Sequence, residues 1–469
     1  MTPVSFATLP LNATLLANLA TLGYHQMTPI QAGSLPPILE GRDLIAQART
    51  GSGKTAAFGL GLLHRLDPAR PVIQALVLCP TRELADQVAG EIRRLARGEG
   101  NIRVLTLTGG TPLRAQAASL EHGVQIVVGT PGRIRDHLGR GTVDFTQVQT
   151  LVLDEADRMT DMGFYDEIAD IVRACPVERQ TLLFSATYPD DIREATQGFL
   201  RRPAEVVVDA QAADGRIDQR FFEVGFDERD AAVGRLLRQF QPVSALVFCN
   251  TRAHCRELAE SLRVQGFSAL ALHGDLEQRE RDEILVLFAN RSCSVLVATD
   301  VAARGLDIAH LGAVIIADVS RDPEVHVHRV GRTGRAGESG LALTLCAPNE
   351  KKWVSLIEEY QNAPVQWHAL DDRGAGSAEA APAPMVTLCI LGGRKDKLRP
   401  GDVLGALTGS VGLSKEQVGK ITVGDQTTYV AVNRDVAAEA FRRLTDGSPT
   451  GRDVGVIKGR RFRMRLTVV

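Results

Sequence analysis

Two short stretches carry residue types at spacings suited to work on a phosphoanhydride. One is Ala48-Arg49-Thr50-Gly51-Ser52-Gly53-Lys54-Thr55, a glycine-rich loop ending in Lys-Thr. Backbone N–H groups of such a loop can cradle phosphates. Lys54 can reach the β- and γ-phosphates, and the Thr55 hydroxyl can meet Mg²⁺. The other is Leu151-Val152-Leu153-Asp154-Glu155-Ala156-Asp157, an apolar strand that ends in adjacent carboxylates. In a phosphate-loop enzyme one such carboxylate, here Asp154, holds Mg²⁺ through water. The next, Glu155, can orient and deprotonate the attacking water. Alone, the first could be a tight turn before a helix and the second a polar strand end. In this order they predict that the chain binds and hydrolyses a nucleoside triphosphate.

The surrounding sequence resembles the DEAD-box RNA helicases, whose name Asp154-Glu155-Ala156-Asp157 spells. Upstream, Gly23-Tyr24-His25-Gln26-Met27-Thr28-Pro29-Ile30-Gln31 is similar to the family's Q motif, with Phe6 at the distance of its isolated aromatic. Downstream come Pro80-Thr81-Arg82-Glu83-Leu84, Gly109-Gly110, Thr130-Pro131-Gly132-Arg133 and Ser185-Ala186-Thr187. A second set follows: Val247-Phe248-Cys249-Asn250, Gln278 with Arg281, Ala298-Thr299-Asp300 running to Arg304-Gly305-Leu306-Asp307, and His328 to Arg335. The resemblance spans about residues 1–368. The loop has Ala48 where the generic phosphate-loop pattern begins with glycine, and DEAD-box loops share that alanine.

The resemblance implies a role for each matched position. The amide of Gln31 offers a donor and an acceptor, a match for the adenine edge that selects ATP. Phe6 and Tyr24 are candidates to stack on or cap the base, although aromatics at such positions serve equally as core. Thr50, Gly51, Ser52 and Gly53 join Lys54 and Thr55 around the phosphates, with Gly305 and Asp307 near the ribose. Arg332 and Arg335, three residues apart, offer guanidinium groups suited to a phosphoryl-transfer transition state. They belong to a second lobe while Lys54 and Glu155 belong to the first, so hydrolysis is expected to require closure. Ser185 and Thr187 are expected to couple the nucleotide site to RNA by hydrogen bonding to the carboxylate motif. Arg82, Gly110, Thr130 and Arg133 in the first lobe, with Arg252, Gly274 and Thr299 in the second, suit phosphate and ribose contacts. Aromatic residues total 5% of the chain, so the motor should read RNA backbone and 2′-hydroxyls rather than stack bases.

The elements that must position these groups are legible as a rhythm. Uninterrupted apolar runs such as Ala75–Cys79, Gln125–Val128, Leu151–Leu153 and Thr181–Phe184 alternate with helix-like segments. The rhythm restarts at Ala245–Phe248 and continues through Ala269–Leu272, Ser294–Val297 and Ala313–Ile316. Such strands predict parallel sheets covered on both faces, with motif residues beyond the strands' carboxyl ends. The expected fold is α/β, with two RecA-like lobes (residues 1–208 and 217–368), a hinge at Asp209–Arg216, a flexible linker (371–384) and a small α+β module (385–469).

That last module is basic. It carries 15 Lys+Arg against 8 Asp+Glu, whereas the first 384 residues carry 39 against 48 within an overall net charge of −2. Such asymmetry suggests a polyanion partner for the tail. Its expected order is strand (386–390), helix (Lys397–Leu407), a short helix (415–418), strands (421–423 and 427–432), helix (436–444) and strand (461–468), an RRM-like βαββαβ pattern. It resembles the DbpA-type RNA-binding domain found in one branch of the family, through Gly393-Arg394-Lys395 and the basic end around Lys458-Gly459-Arg460-Arg461. Only Tyr429 stands where RRM sheets usually offer several aromatics, so Arg394, Lys395, Lys458, Arg460 and Arg461 are the favoured RNA contacts.

The chain has 469 residues, ordinary globular composition, no run of apolar residues long enough to span a bilayer and no basic leader. Its seven scattered cysteines suggest buried thiols and a reducing cytoplasm rather than a metal cluster. The reading is an ATP- and Mg²⁺-dependent RNA helicase acting on structured RNA. The tail resemblance implies ribosomal RNA of the large subunit and a role in 50S particle assembly. The alternatives are a general helicase of mRNA turnover or cold response, and a non-catalytic ATP-dependent RNA clamp.

Overall fold

In the computed structural model, described for residues 4–48, 51–188, 190–208, 217–303, 311–334, 339–370, 380–445 and 453–467, the strands form three sheets. The first contains β1 (Leu44–Gln47), β2 (Ala75–Leu78), β3 (Val104–Leu107), β4 (Ile126–Gly129), β5 (Thr150–Asp154), β6 (Gln180–Ser185) and β7 (Ala204–Val207). Every pairing in it is parallel, in the order β3-β4-β2-β5-β6-β1-β7. Alternate residues of one strand feed cores on opposite faces. Val77 packs into one apolar cluster and Leu76 and Leu78 into the other; Val152 and its neighbours Leu151 and Leu153 divide the same way. This is why these strands read as continuous apolar runs.

The second sheet contains β8 (Ile217–Glu223), β9 (Ala245–Cys249), β10 (Ala269–Leu272), β11 (Val295–Thr299), β12 (Ala313–Ile316), β13 (Gly340–Cys346) and β14 (Trp367–His368). It is also parallel, in the order β10-β11-β9-β12-β13-β8-β14. Numbered within each sheet, both read 3-4-2-5-6-1-7. The two RecA-like lobes therefore share one topology.

The third sheet is antiparallel: β15 (Met385–Ile390), β16 (Val418–Val423), β17 (Thr428–Asn433), β18 (Val454–Ile457) and β19 (Arg460–Thr467), ordered β16-β17-β15-β19-β18. Helix Arg434–Thr445 packs on one face through Ala437, Ala440 and Leu444. Two features differ from expectation. β18 is an additional strand, joined to β19 by a two-residue hairpin in which Lys458 (φ 51°) and Gly459 (φ 74°) both take the left-handed conformation that such a turn requires. The helix expected over Lys397–Leu407 instead breaks into a 3₁₀ turn (Arg394–Asp396), an α-helix (Pro400–Gly405) and a π turn (Ala406–Ser410). Lys397 at φ 58° ends the first turn, and Pro400 restarts the chain at a helix N-terminus.

All seven cysteines are free and buried. Among the described residues no helix is long and apolar enough to cross a membrane. Of the expected hinge and linker, Asp209–Arg216 and residues 371–379 lie outside the described residues. Ala383 in the remainder of the linker is fully buried.

Candidate nucleotide and RNA site

β1 delivers the chain to the glycine-rich loop, and helix Lys54–Arg65 leaves it. Gly51 (φ 81°) and Gly53 (φ 95°) make the turn in backbone conformations that suit glycine. A Cβ on Gly53 would lie 2.5 Å from Nε2 of Gln31, so the position is closed to a side chain on steric grounds as well. Lys54 is buried, and its Nζ donates to the carbonyl of Ala48 at 2.8 Å. The Ser52 hydroxyl oxygen is buried without a hydrogen-bond partner. Such an orphaned group, beside a buried ammonium and at a helix N-terminus, fits phosphate oxygens.

Gln31 stands at the third position of helix Pro29–Leu39 in a capping box with Thr28. Its Oε1 accepts from the Thr28 N–H at 2.9 Å and its Nε2 donates to the Gly53 carbonyl at 3.1 Å. The amide thus ties the Q-motif helix to the phosphate loop, and reading adenine with both its ends would mean releasing both bonds. Phe6 is buried, edge-on to Tyr24 with ring centroids 6.3 Å apart. The Tyr24 hydroxyl donates to Glu91 at 2.9 Å while Arg94 lies over the ring.

Asp154 closes β5 and Ser185 closes β6, the neighbouring strand, so both sit at the carboxyl edge of the sheet. Burial, reinforced by the negative charge of Glu155 and opposed by Lys54, pushes the Asp154 carboxyl up to about 7. Glu155 takes the left-handed conformation (φ 55°, ψ 53°), which costs an L residue about 1–2 kcal/mol. The turn swings its side chain off the strand's alternation to meet Arg158 at 3.1 Å, in a pair with both side chains buried. Strain of this kind gathers at working residues. Asp157 accepts from the N–H groups of Ala186 (3.1 Å) and Thr187 (3.2 Å) and from the Thr187 hydroxyl (3.3 Å). In return the Asp157 N–H donates to Ser185 Oγ. The carboxylate motif and the Ser-Ala-Thr turn are therefore one hydrogen-bonded unit.

Along the same edge, the Arg82 guanidinium occupies the space a side chain on Gly109 would need, and Gly110 is exposed at φ 82°. Thr130 caps helix Pro131–Gly139 without using its hydroxyl for the cap. Arg133 donates to the Thr111 carbonyl and to Gln116, whose Oε1 also meets His137. Gln116 and His137, like Arg158, carry no signal in the sequence beyond helical spacing of polar residues.

In the second lobe, Arg252 is exposed and paired with Asp275, and Gly274 next to it has open space on its Cβ side. Thr299 ends β11 and is buried. Arg329 is buried and binds both carboxylate oxygens of Asp300 (2.7 Å each), Asn250 Oδ1 and the Asp318 carbonyl. It ties the His328–Arg335 segment to the ends of three strands, a role the sequence reading had not assigned. Arg332 is also buried. Thr50, Gly305, Asp307 and Arg335 lie outside the described residues.

On the tail, Arg394, Lys397, Arg399, Lys458 and Arg460 ring a groove of about 610 Å³ floored by Phe462. Arg460 donates to the Asp396 carbonyl and Lys458 pairs with Asp402 at 3.0 Å. Lys395 and Arg461 are exposed nearby.

The comparisons agree with this architecture. Residues 28–195 match the DEAD/DEAH box helicase family, 228–337 the helicase conserved C-terminal domain and 387–465 the DbpA RNA binding domain. The chain is 52% identical over 451 residues to the ATP-dependent RNA helicase DbpA of Escherichia coli K12, covering 96% of each. It is 43% identical over 380 residues to the ATP-dependent RNA helicase CshA of Listeria monocytogenes, covering 80% of this chain and 73% of that one. Saccharomyces cerevisiae Dbp5, solved bound to RNA and ADP BeF3, is similar with a TM-score of 0.72 and 29% identity over 78% of this chain and 96% of that one. The chain belongs to the DEAD-box family of ATP-dependent RNA helicases and carries a DbpA-type RNA-binding domain after its two helicase lobes.

Proposed function

We propose that this helicase spends ATP on local remodelling of structured ribosomal RNA during assembly of the 50S particle. The observation that carries the ATP chemistry is the phosphate loop, with its orphaned Ser52 hydroxyl, buried Lys54 and adjoining Asp154 and Glu155. Lys54 and the loop N–H groups bind the phosphates, with Gln31, Phe6 and Tyr24 on the base side and Gly305 and Asp307 toward the ribose. Thr55 and Asp154, the latter through water, are the ligands for Mg²⁺, which when bound supplies charge neutralisation to the phosphates. Glu155 orients the attacking water and takes its proton as the new P–O bond forms and the β–γ bridge breaks. Arg332 and Arg335 stabilise the charge spread over the transferring phosphoryl group.

Arg82, Gly110, Thr130, Arg133, Arg252, Gly274 and Thr299 hold one RNA strand by its backbone, and the tail's basic groove holds the structured target. The ribosomal assignment is supported by the tail's match over 387–465 and by 52% identity to the E. coli DbpA chain. Its test is ATPase stimulation by large-subunit ribosomal RNA against unrelated RNA of equal length. Stimulation at a far lower concentration by the ribosomal RNA is expected, and equal concentrations would favour a general helicase instead.

A further inference from the structure

In β15, Val386, Leu388 and Ile390 point into the tail's own core, so Thr387 and Cys389 must face the other side of the sheet. That side should be open, since the helices of this module pack on the first face. Yet Thr387 is 0% exposed and Cys389 1%. Thr387 Oγ1 accepts from Asn290 Nδ2 at 3.1 Å and shares a hydrogen bond with Ser292 Oγ at 2.7 Å, both in the second lobe's turn between helix Gln278–Ala289 and β11. The Met385 N–H donates to the Arg291 carbonyl of the same turn at 3.3 Å, and Arg465 on β19 pairs with Glu283 of that helix. Asn290 and Ser292 are themselves buried. Both ends of the linker are held to the lobe as well. Leu370 and Ala380 pack against its core cluster, and the Ala383 and Pro384 carbonyls accept from the Arg434 side chain and N–H.

We infer that the central outer face of the tail sheet, around Thr387, Cys389 and Tyr429, is a docking surface for the second helicase lobe rather than a platform for RNA bases. The tail is then a fixed arm and not a free tether. Its basic groove lies away from this contact, so an RNA element held there keeps a set position relative to the second lobe. A polar key suits the purpose. Buried hydroxyl and amide groups are satisfied only in one register, and an unmatched register leaves them unpaired at a cost of about 1–3 kcal/mol each. The inference is independent of which RNA the groove takes.

The test uses the full chain without ATP or RNA, labelled for single-molecule energy transfer at Val264→Cys and Lys415→Cys, both exposed positions. The native cysteines are all buried and should resist labelling. One narrow transfer peak is expected. Glu283→Arg should broaden it, Thr387→Val should broaden it by a different break, and Glu283→Arg combined with Arg465→Glu should restore it. A broad wild-type distribution, or a narrow peak that survives both Glu283→Arg and Thr387→Val, would overturn the docked arm. A charge swap that fails to restore the peak would remove the Glu283–Arg465 pairing from it.

Discussion

Glu155 occupies a left-handed backbone position that most residues avoid, and its carboxylate meets Arg158 in a buried pair. Neither fact can be read from Asp-Glu-Ala-Asp, because a strand's alternation would send Asp154 and Glu155 to opposite faces. What the sequence does expose is chemical type and order, and these sufficed for the phosphate loop and the carboxylate motif. Gln31 is the opposite case. Its residue type suggested a base reader, whereas its place in the capping box and its bond to Gly53 are visible only once two distant segments meet. Two predictions belong here. Glu155→Gln keeps the size and one bond to Arg158 but cannot take a proton. It should leave ATP and RNA binding nearly unchanged while cutting kcat by orders of magnitude, and near-wild-type turnover would remove Glu155 from its role. Gly53→Ala should weaken ATP binding more than tenfold, since the new methyl meets the Gln31 amide and the left-handed turn is lost. Unchanged binding would show that the loop relaxes around the methyl.

Elements were legible where burial on both faces forced uninterrupted apolar runs, as in β2, β5, β9 and β11. They were hidden where that rule fails. β18 is four residues long and contains a glycine, and the first tail helix is broken by a left-handed Lys397 and by Pro400. Nor did any motif flag what ties the elements of the second lobe together. His254, on helix Arg252–Val264, bridges Asp230 at 2.9 Å and Asp318 at 2.9 Å. Asp318 also accepts from Arg229 at 2.6 Å and from the Asn250 N–H. Hydrogen bonds to Asp230 and Asp318 push His254 up to about 12, and the same contacts hold Asp318 down to about 2. A histidine raised in the fold lends stability that is complete below its unfolded value near 6.5 and drains away as pH rises toward the folded value. His254→Gln should therefore widen the stability gap to wild type at pH 6 relative to pH 9, measured by chemical denaturation. A gap that is equal at both pH values, or larger at pH 9, would mean that His254 is not held protonated.

At the scale of the whole chain, the sequence displayed a strand rhythm that starts twice and a charge asymmetry that ends in a basic tail. It did not display that the two sheets share the order 3-4-2-5-6-1-7, because the repeat lies in connections rather than in residue identity. Nor did it display the contact on the tail sheet, since Thr387, Asn290 and Ser292 are residue types found on any solvated surface. That contact bears on how separable the chemistry and the target choice are. Glu283, Asn290 and Ser292, which the tail covers, are polar, so the second lobe loses little apolar cover without it. The tail has its own apolar cluster built from Val386, Leu388, Val430, Leu444 and Phe462. A chain ending at Leu370 should therefore fold and keep RNA-stimulated ATPase activity. It should need about 10²-fold more ribosomal RNA to reach half-stimulation, because an attached binding module raises the local concentration of its target. It should also lose any preference for ribosomal over unrelated RNA. Residues 380–469 alone should bind such RNA with an affinity that falls steeply with salt, in proportion to the few phosphates that the groove's arginines and lysines neutralise. ATPase titrations with both RNAs decide the matter: if the shortened chain still prefers the ribosomal one, selectivity resides in the lobes and the tail is only a positioning arm.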